Sequence, residues 1–487
     1  MGGSDAATPV FGDVTKVETV PSGPAKINGR SNNELSPSDQ DEMQISPSQA
    51  HDRRRSSVEL NGIKTEHDPR DGNGHSHTQG ATMGGRTDGA NGTKRPTPGM
   101  ADDSGGVASQ TTAGADDNAG VDDTRYPPLL PAAPSRAGHE RHVWRAGGVR
   151  FAPLRIPFER RAQTTAVLMH SLSIALFVSV FFFMAAIPLN WPLLVPYLIH
   201  LSLSTAASDG RLRFRSEFIR SLPIWTLFAR YYPAKLHKTY DLPPSRKYIF
   251  GYHPHGIISH GAWAAFATNA LGFSEKFPGI TNTLLTLDSN FRIPFYRDWI
   301  LAMGIRSVSK ESIWNTLTRG GHDRHGMGRA VTIVVGGARE SLEAGPGTLR
   351  LILKGRKGFI KMALRTGSDL VPVLGFGEND LYDQLSPRSH PNVRRIQLFF
   401  LNVFKFTLPA LHGRGILNYD VGLMPYRRPL NIVVGKPIRV TTTATSQPDQ
   451  AEIDRLHALY VEEVQKLWDA YKDQFAKDRR AELQFIA

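Results

Sequence analysis

Residues 209–440 of this 487-residue chain predict an α/β domain with a mostly parallel sheet and flanking helices. Ahead of it the sequence predicts a membrane hairpin at 164–208 and a disordered tail at 1–125. Three observations carry this reading. Short β-branched or aromatic runs, such as 248–252 and 330–335, alternate with helical stretches, as expected of parallel strands covered on both faces. Several of these runs end in a glycine-containing turn that carries polar side chains. Finally, 45 consecutive positions from Thr164 to Ser208 hold no Asp, Glu, Lys or Arg.

The tail comes first. Residues 12–125 contain no Phe, Tyr or Trp, too little apolar surface to offset the entropy of ordering them. Ser36 and Ser46 each precede proline, and Arg53-Arg54-Arg55 precedes Ser56-Ser57, spacings that suit proline-directed and basic-directed kinases. Met1-Gly2 is followed by Ala6 where a myristoylation signal needs Ser or Thr, and no apolar leader core follows. Neither a lipid anchor nor a cleaved leader is therefore expected. The net charge of +13 calls for an anionic partner. The absence of cysteine excludes disulfides, cysteine-ligated zinc and a thiol nucleophile.

After a pre-membrane segment at 126–163, Thr164–Ile187 is long enough to span a bilayer, and Pro188, Asn190 and Pro192 break it. A shorter apolar limb runs from Leu193 to Leu203. Arg155, Arg160 and Arg161 precede the pair and Arg211, Arg213 and Arg215 follow it, so both termini are expected on the cytosolic side. Residues 216–237 mix Phe218, Trp225 and Phe228 with Arg220, Arg230 and Lys235, the composition of an interfacial segment. Such a chain meets a lipid bilayer, and the charge-free hairpin argues against a nucleic-acid partner.

The domain is organised around Tyr248–His253 and the turn His253-Pro254-His255-Gly256. Pro and Gly favour the turn, and two imidazoles that can take and return a proton near neutral pH stand at a strand end. Residues 261–271 read as a small-residue helix, and 291–299 as a further strand-and-turn unit before a helix at 300–303. Ala330–Val335 leads to Gly336-Gly337 and Glu340, and Asp369–Leu374 leads to Glu378. Leu430–Val434 is another strand, and 441–487 holds a packing helix with Ile453, Leu456, Tyr460, Leu467 and Tyr471 at helical spacing.

These residues resemble the type 2 diacylglycerol acyltransferase family, which includes monoacylglycerol and wax-alcohol acyltransferases. The resemblance covers about Tyr231 to Pro437 and rests on five blocks in the family's order. They are Phe250-Gly-Tyr-His-Pro-His-Gly-Ile257, Asn290-Phe-Arg-Ile-Pro-Phe-Tyr-Arg-Asp298, Val334-Val-Gly-Gly-Ala-Arg-Glu-Ser341, Arg356-Lys-Gly-Phe359 and Phe376-Gly-Glu-Asn379. It implies a glycerolipid-acyltransferase-like fold and a membrane enzyme of the endoplasmic reticulum and lipid droplets. It implies acyl transfer from acyl-CoA to diacylglycerol, giving triacylglycerol, with monoacylglycerol or a long-chain alcohol as alternative acceptors. The chain departs from the family at Tyr232, where Tyr-Phe-Pro becomes Tyr231-Tyr232-Pro233, at a slightly long loop over 320–328, and at His260, where an apolar residue is usual.

Glycerolipid acyltransferases more broadly place an Asp five residues after the catalytic His, but Ile258 and His260 stand at those positions here. The expected arrangement is therefore His255 as general base, Glu340 holding its tautomer, and His253 positioning the turn or stabilising the oxyanion. Lys354, Arg356 and Lys357, with backbone amides at Gly336 and Gly337, are the candidate acyl-CoA site. Arg297 and Asp298 either contact the acceptor or pair with each other. No metal and no separate cofactor are expected, and a homo-oligomer is left open. The rival classes are a metal-dependent hydrolase using the His253/His255 pair with Glu340 or Glu378, and a non-enzymatic lipid-binding membrane protein.

Overall fold

The computed structural model describes residues 126–130, 144–146, 148–153, 155–384, 391–404, 410–441 and 447–486. The tail and its candidate phosphorylation sites lie outside the described residues. A small hairpin, β1 (Trp144–Ala146) and β2 (Val149–Phe151), leads into three helices, α1 (Phe158–Ser171), α2 (Ser173–Ala185) and α3 (Trp191–Leu203). Two more, α4 (Glu217–Arg220) and α5 (Pro223–Tyr231), bring the chain to the sheet, and the later helices are α6 (His260–Ala262), α7 (Phe273–Lys276), α8 (Tyr296–Ala302), α9 (Lys310–Thr318), α10 (Gly337–Ser341), α11 (Gly358–Thr366), α12 (Pro391–Phe404) and α13 (Gln450–Phe475).

The strands that follow are β3 (Lys235–Lys238), β4 (Tyr248–His253), β5 (Thr281–Thr286), β6 (Arg306–Ser307), β7 (Arg329–Val334), β8 (Arg350–Ile352) and β9 (Asp369–Phe376). After them come β10 (Asp383–Gln384), β11 (Leu411–His412), β12 (Asn431–Val434) and β13 (Gln484–Ile486). Seven form the central sheet in the order β3-β12-β9-β4-β7-β5-β6. Only β12 against β9 is antiparallel, so the sheet is mostly parallel. The histidine strand β4 is its middle member, with β9 on one side and β7 on the other.

Alternation along β4 divides the core into two layers. Tyr248, Phe250 and Tyr252 face a layer containing Trp225, Phe228, Trp263, Phe266 and, from α1, Ala166 and Val167. Ile249 faces the other with Val331, Ile333 and Leu370. That layer is closed by α11 (Gly358–Thr366) and α13 (Gln450–Phe475), the expected C-terminal packing helix.

Two local expectations are corrected. The helix expected over 261–271 is a short turn, α6 (His260–Ala262), that widens over Trp263–Ala267 and gives way to extended backbone at Thr268. Buried Arg220 takes the Ala267 carbonyl at 2.6 Å and the Phe266 carbonyl at 3.4 Å, and the Thr268 hydroxyl takes that of Ala264 at 2.7 Å. Those bonds end the helix by satisfying its last carbonyls. The strand-and-turn unit expected at 291–299 is α8 (Tyr296–Ala302) behind a 3-10 turn, and the strand lies upstream in β5. Thr281, Thr283 and Thr286 give β5 its β-branched character without the apolar run that marks the other strands.

The segment expected as a membrane hairpin is three helices with two fates. Gln163, Ala166 and Val167 of α1 are buried against the domain. At Leu172 the chain turns by 65°, where the Ser173 hydroxyl takes the His170 carbonyl at 2.8 Å. Beyond the bend α2 has no buried residue and α3 only Leu194, so most of their apolar side chains face outward, while Phe177 packs against Tyr296 and Trp299 of the domain. Among the described residues no single helix is long and apolar enough to cross a membrane; α1 and α2 qualify only as a bent pair.

Candidate active site

The sheet delivers three strand ends to one edge: the His253–Gly256 turn after β4, Glu340 in α10 (Gly337–Ser341) after β7, and Glu378 after β9. Strand ends that share an edge in this way bring together residues far apart in sequence. Both carboxylates reach back to the turn. Glu340 Oε1 accepts the backbone N–H of His255 at 2.7 Å and Oε2 that of Ile352 at 2.7 Å. Glu378 accepts the backbone N–H groups of His260 at 2.7 Å and Gly261 at 2.8 Å, and the Tyr252 hydroxyl at 2.8 Å. Burial pushes both carboxyls up to about 7, opposed by these hydrogen bonds.

Gly256 shows why the turn needs glycine. Its φ is +59°, and an added Cβ would lie 2.6 Å from Glu378 Cγ. Ser259 closes the loop by donating to the His255 carbonyl at 2.7 Å.

The two histidines have different surroundings. Buried His253 places Nε2 3.0 Å from the Tyr460 hydroxyl, which donates to the Gly251 carbonyl at 3.1 Å. A hydroxyl has one proton to give, so His253 Nε2 is the donor and its buried Nδ1 is left without a partner. Burial lowers His253 to about 3, which keeps it neutral. His255 keeps some exposure, and its Nδ1 lies 3.1 Å from the Gly256 carbonyl. A carbonyl only accepts, so Nδ1 carries the proton and Nε2 presents a lone pair. Burial lowers its pKa, so the neutral form prevails at neutral pH.

Glu340 is therefore brought to His255, but not as expected. It clamps the backbone of the turn, and the group that holds the His255 tautomer is the Gly256 carbonyl. Both Glu340 oxygens are taken by peptide N–H groups, one from each side of the site.

The candidate acyl-CoA residues are partly assembled. Gly336 packs against the Glu340 side chain, while Gly337, at φ +61°, faces open space. Arg356 is close enough to Glu340 to act on its charge, and Lys354 is exposed just before α11. Lys357 is engaged with Asp454 of α13 at 2.7 Å. Arg297 and Asp298 lie elsewhere, on α8 under the apolar helices. Arg297 is buried, bonds Ser204 and lies 3.7 Å from Asp298, and Asp298 accepts the Tyr197 hydroxyl at 2.6 Å. They tie α3 to the domain. Among the described residues no group of three or more His, Asp or Glu is placed to hold a metal.

Sequence reasoning missed three participants. Helical spacing marks Tyr460 as a packing residue, and nothing local signals that its hydroxyl reaches a strand end 207 positions away. Gly251 admits that hydroxyl, because a side chain there would occupy the same space. Glu378 carried the same strand-end signal as Glu340, and its clamp on residues 260 and 261 was not read from it.

A parallel sheet that gathers two histidines and two buried carboxylates at neighbouring strand ends has the build of an α/β enzyme with its site along that edge. A family model described as diacylglycerol acyltransferase matches residues 181–485. Diacylglycerol O-acyltransferase 2A of Umbelopsis ramanniana is 48% identical over 338 residues, covering 69% of this chain and 94% of that protein. Bovine (Bos taurus) 2-acylglycerol O-acyltransferase 1 is 43% identical over 332 residues, covering 67% and 96%. Among solved structures, the 1-acyl-sn-glycerophosphate acyltransferase PlsC of Thermotoga maritima matches 63% of this chain and all of its own, at 11% identity and a TM-score of 0.30. The chain belongs to the type 2 diacylglycerol acyltransferase family and is an acyltransferase.

Proposed function

We propose that this chain moves an acyl group from acyl-CoA to the free hydroxyl of diacylglycerol, forming triacylglycerol, with His255 as general base. The observation that carries this is the fixed tautomer of His255. Its Nδ1–H is held by the Gly256 carbonyl, leaving Nε2 to take the hydroxyl proton as the oxygen attacks the thioester carbonyl. The carbon–sulfur bond then breaks, and the proton passes from Nε2 to the departing coenzyme A sulfur. Glu340 and Glu378 hold the turn from its two sides, and His253 anchors its start through Tyr460. Lys354 and Arg356 attract the coenzyme A phosphates, with peptide N–H groups at Gly336 and Gly337 as further donors.

The names of the relatives, a diacylglycerol and a 2-acylglycerol acyltransferase, support an acylglycerol acceptor. The outward apolar faces of α2 and α3 support a bilayer location, and the arginines that flank the pair support cytosolic ends. At 13 residues each helix is about 20 Å long, shorter than the roughly 30 Å hydrocarbon core, which favours partial insertion over a full crossing. The endoplasmic reticulum and lipid droplets are the membranes we assign.

The test is acyl transfer by membranes carrying the chain, with labelled acyl-CoA and each acceptor offered separately. Label in triacylglycerol, lost with His255→Ala at matched expression, supports the proposal. Label confined to diacylglycerol or to wax ester moves the acceptor to monoacylglycerol or to a long-chain alcohol. No ester from any acceptor overturns it.

A further inference from the structure

Strand β8 lies outside the central sheet and forms a two-stranded parallel sheet with β13. Successive peptide groups of a strand point to opposite edges, and β8 uses both. On one edge the Leu349 carbonyl accepts the Gln484 N–H at 2.9 Å, and the Leu353 N–H donates to the Ile486 carbonyl at 3.3 Å. On the other edge the Ile352 N–H donates to Glu340 Oε2 at 2.7 Å. Glu340 Oε1 in turn accepts the His255 N–H at 2.7 Å. A strand of three residues has little besides its partner to keep it extended, and this one stands between β13 and the histidine turn.

The approach to this strand pair is fixed as closely. The Arg480 N–H donates to the Gly347 carbonyl at 2.7 Å, and the Gly347 N–H donates to Asp380 Oδ1 at 2.7 Å. Gly347 has a φ of +70°, and an added Cβ would lie 3.0 Å from Arg480 Cγ, so the crossing needs glycine. Asn379 holds the Thr348 carbonyl at 2.9 Å. Asn379 and Asp380 directly follow Glu378, which ties the lead into β8 to the second carboxylate as well. Glu482 accepts the Trp468 indole N–H at 2.9 Å and pairs with Lys472 at 3.0 Å, both on the helix that carries Tyr460 to His253. Phe485, half-buried, packs against the same core layer as Leu351.

We propose that β13 is a positioning strap for the candidate active site. It holds Ile352 where its N–H engages Glu340, and through Glu340 it sets the backbone of His255. The inference rests on the general-base reading of His255 above. Glu340 is 2% exposed, so an oxygen that loses the Ile352 N–H has no ready water and must move to a new donor. The His255 bond on the other oxygen moves with it. The direction of His255 Nε2 follows the turn, and a base displaced by about 1 Å loses rate while substrate binding stays in place. Strand β8 also runs straight into Lys354 and Arg356, so the test keeps acyl-CoA saturating.

Gln484→Pro removes the N–H given to Leu349 and, because the side chain is exposed, nothing buried. Gln484→Ala keeps that N–H and is the control. With the full chain in detergent, kcat and KM for dioleoylglycerol, amide hydrogen exchange and the thermal midpoint are measured. The proline variant is expected to lower kcat about tenfold, the worth of one hydrogen bond in the clamp, with KM unchanged. Exchange quickens at 350–353 and at 255–257 and stays at the wild-type rate in β4 and β7, while the alanine variant changes none of these. Phe485→Ala frees β13 by another route and Phe485→Leu restores it, a pair that stands in if the proline variant does not fold. An unchanged kcat overturns the strap, whatever exchange at 350–353 shows, and so does a lower kcat without faster exchange at 255–257. Faster exchange throughout β4 and β7 with a lower thermal midpoint also overturns it, by showing a plain loss of packing. His255→Ala with wild-type transfer overturns the general-base reading and the strap's role with it, and because that result is read in a separate variant the two failures are told apart.

Discussion

Phe182 and Phe183 on α2 are 64% and 70% exposed, while His253 and Glu378 at the histidine turn are 0% and 2% exposed. The two regions reverse the usual placement of polar and apolar groups, in opposite directions. In the turn most buried polar groups find partners within the chain: each carboxylate takes peptide N–H groups, and each imidazole is held at one nitrogen, while His253 Nδ1 stays unpaired. On α2 and α3, Phe182, Phe183, Leu193 and Leu203 are left largely exposed, although Phe177 packs against Trp299 and Tyr197 on Phe295. A contiguous outward apolar face marks an interaction surface, and the charge-free length of this one suits lipid. A group answered by the protein itself belongs to chemistry, and a group left for something else to answer belongs to binding.

The largest expected effect falls on the turn. His255→Ala removes the base and should lower acyl transfer by about a thousandfold, within the range for general-base catalysis, without unfolding the domain. His253→Ala should act differently, by freeing Tyr460 and loosening the start of the turn, so its loss of activity comes with a loss of stability. Equal activity losses with unchanged melting in both variants would erase the distinction between a reacting and an anchoring histidine.

Next comes the hairpin. Replacing Phe182 and Phe183 together by Asp should reduce partitioning onto lipid vesicles at least about a hundredfold, since burying each phenylalanine is worth about 1.5–3 kcal/mol. The buried turn should be untouched, so the isolated variant keeps its wild-type melting profile in detergent. Unchanged vesicle binding would make the exposed apolar face a surface for something other than lipid.

The paired carboxylates predict a smaller, pH-dependent effect. Folding raises Glu340 and Glu378 from 4.5 to about 7, so the native state holds protons that the unfolded chain has released. Their contribution to stability is fully present below about 4.5 and is lost as pH rises through about 7. Each is worth on the order of 3 kcal/mol across that window. Glu340→Gln or Glu378→Gln should flatten the fall in stability between those limits, measured by denaturant unfolding in detergent. The slope, not the absolute level, is the readout, because an amide also places an N–H against a peptide donor.

The strands around the turn were legible because they are the apolar, β-branched runs, and the turn residues follow them directly. Strand β5 was not, because Thr281-Asn-Thr-Leu-Leu-Thr286 alternates polar and apolar residues too weakly to stand out. Glu340 was legible as a strand-end carboxylate, but its partners were not, since peptide N–H groups leave no mark in a sequence. Tyr460 shows the same limit in reverse: helical spacing explains its ring and says nothing about its hydroxyl. The charge-free stretch revealed the hairpin's apolar character without separating α1, which covers the sheet, from α2 and α3, which do not. Apolar composition is the same for a core and for a membrane face. Only the fold tells which is which.

Tyr197 joins the two regions and gives the smallest predicted effect. Its hydroxyl donates to Asp298 at 2.6 Å and accepts the Phe295 backbone N–H at 2.7 Å, and its ring stacks on Phe295 at 5.2 Å. Phe295 has a φ of +62°, unfavourable for a residue with a Cβ, so α8 starts from a backbone that a hairpin residue holds in place. Tyr197→Phe keeps the stacking and removes both hydrogen bonds, at a cost of about 1–2 kcal/mol. If α3 is docked on the domain, vesicle binding stays at the wild-type level while acyl transfer falls severalfold, because α8 and the outward apolar helices lose their fixed relation. If the hairpin is only a tether, transfer is unchanged. The first outcome is the one expected, since Arg297 bonds Ser204 across the same joint and leaves α3 little freedom to move apart from the sheet.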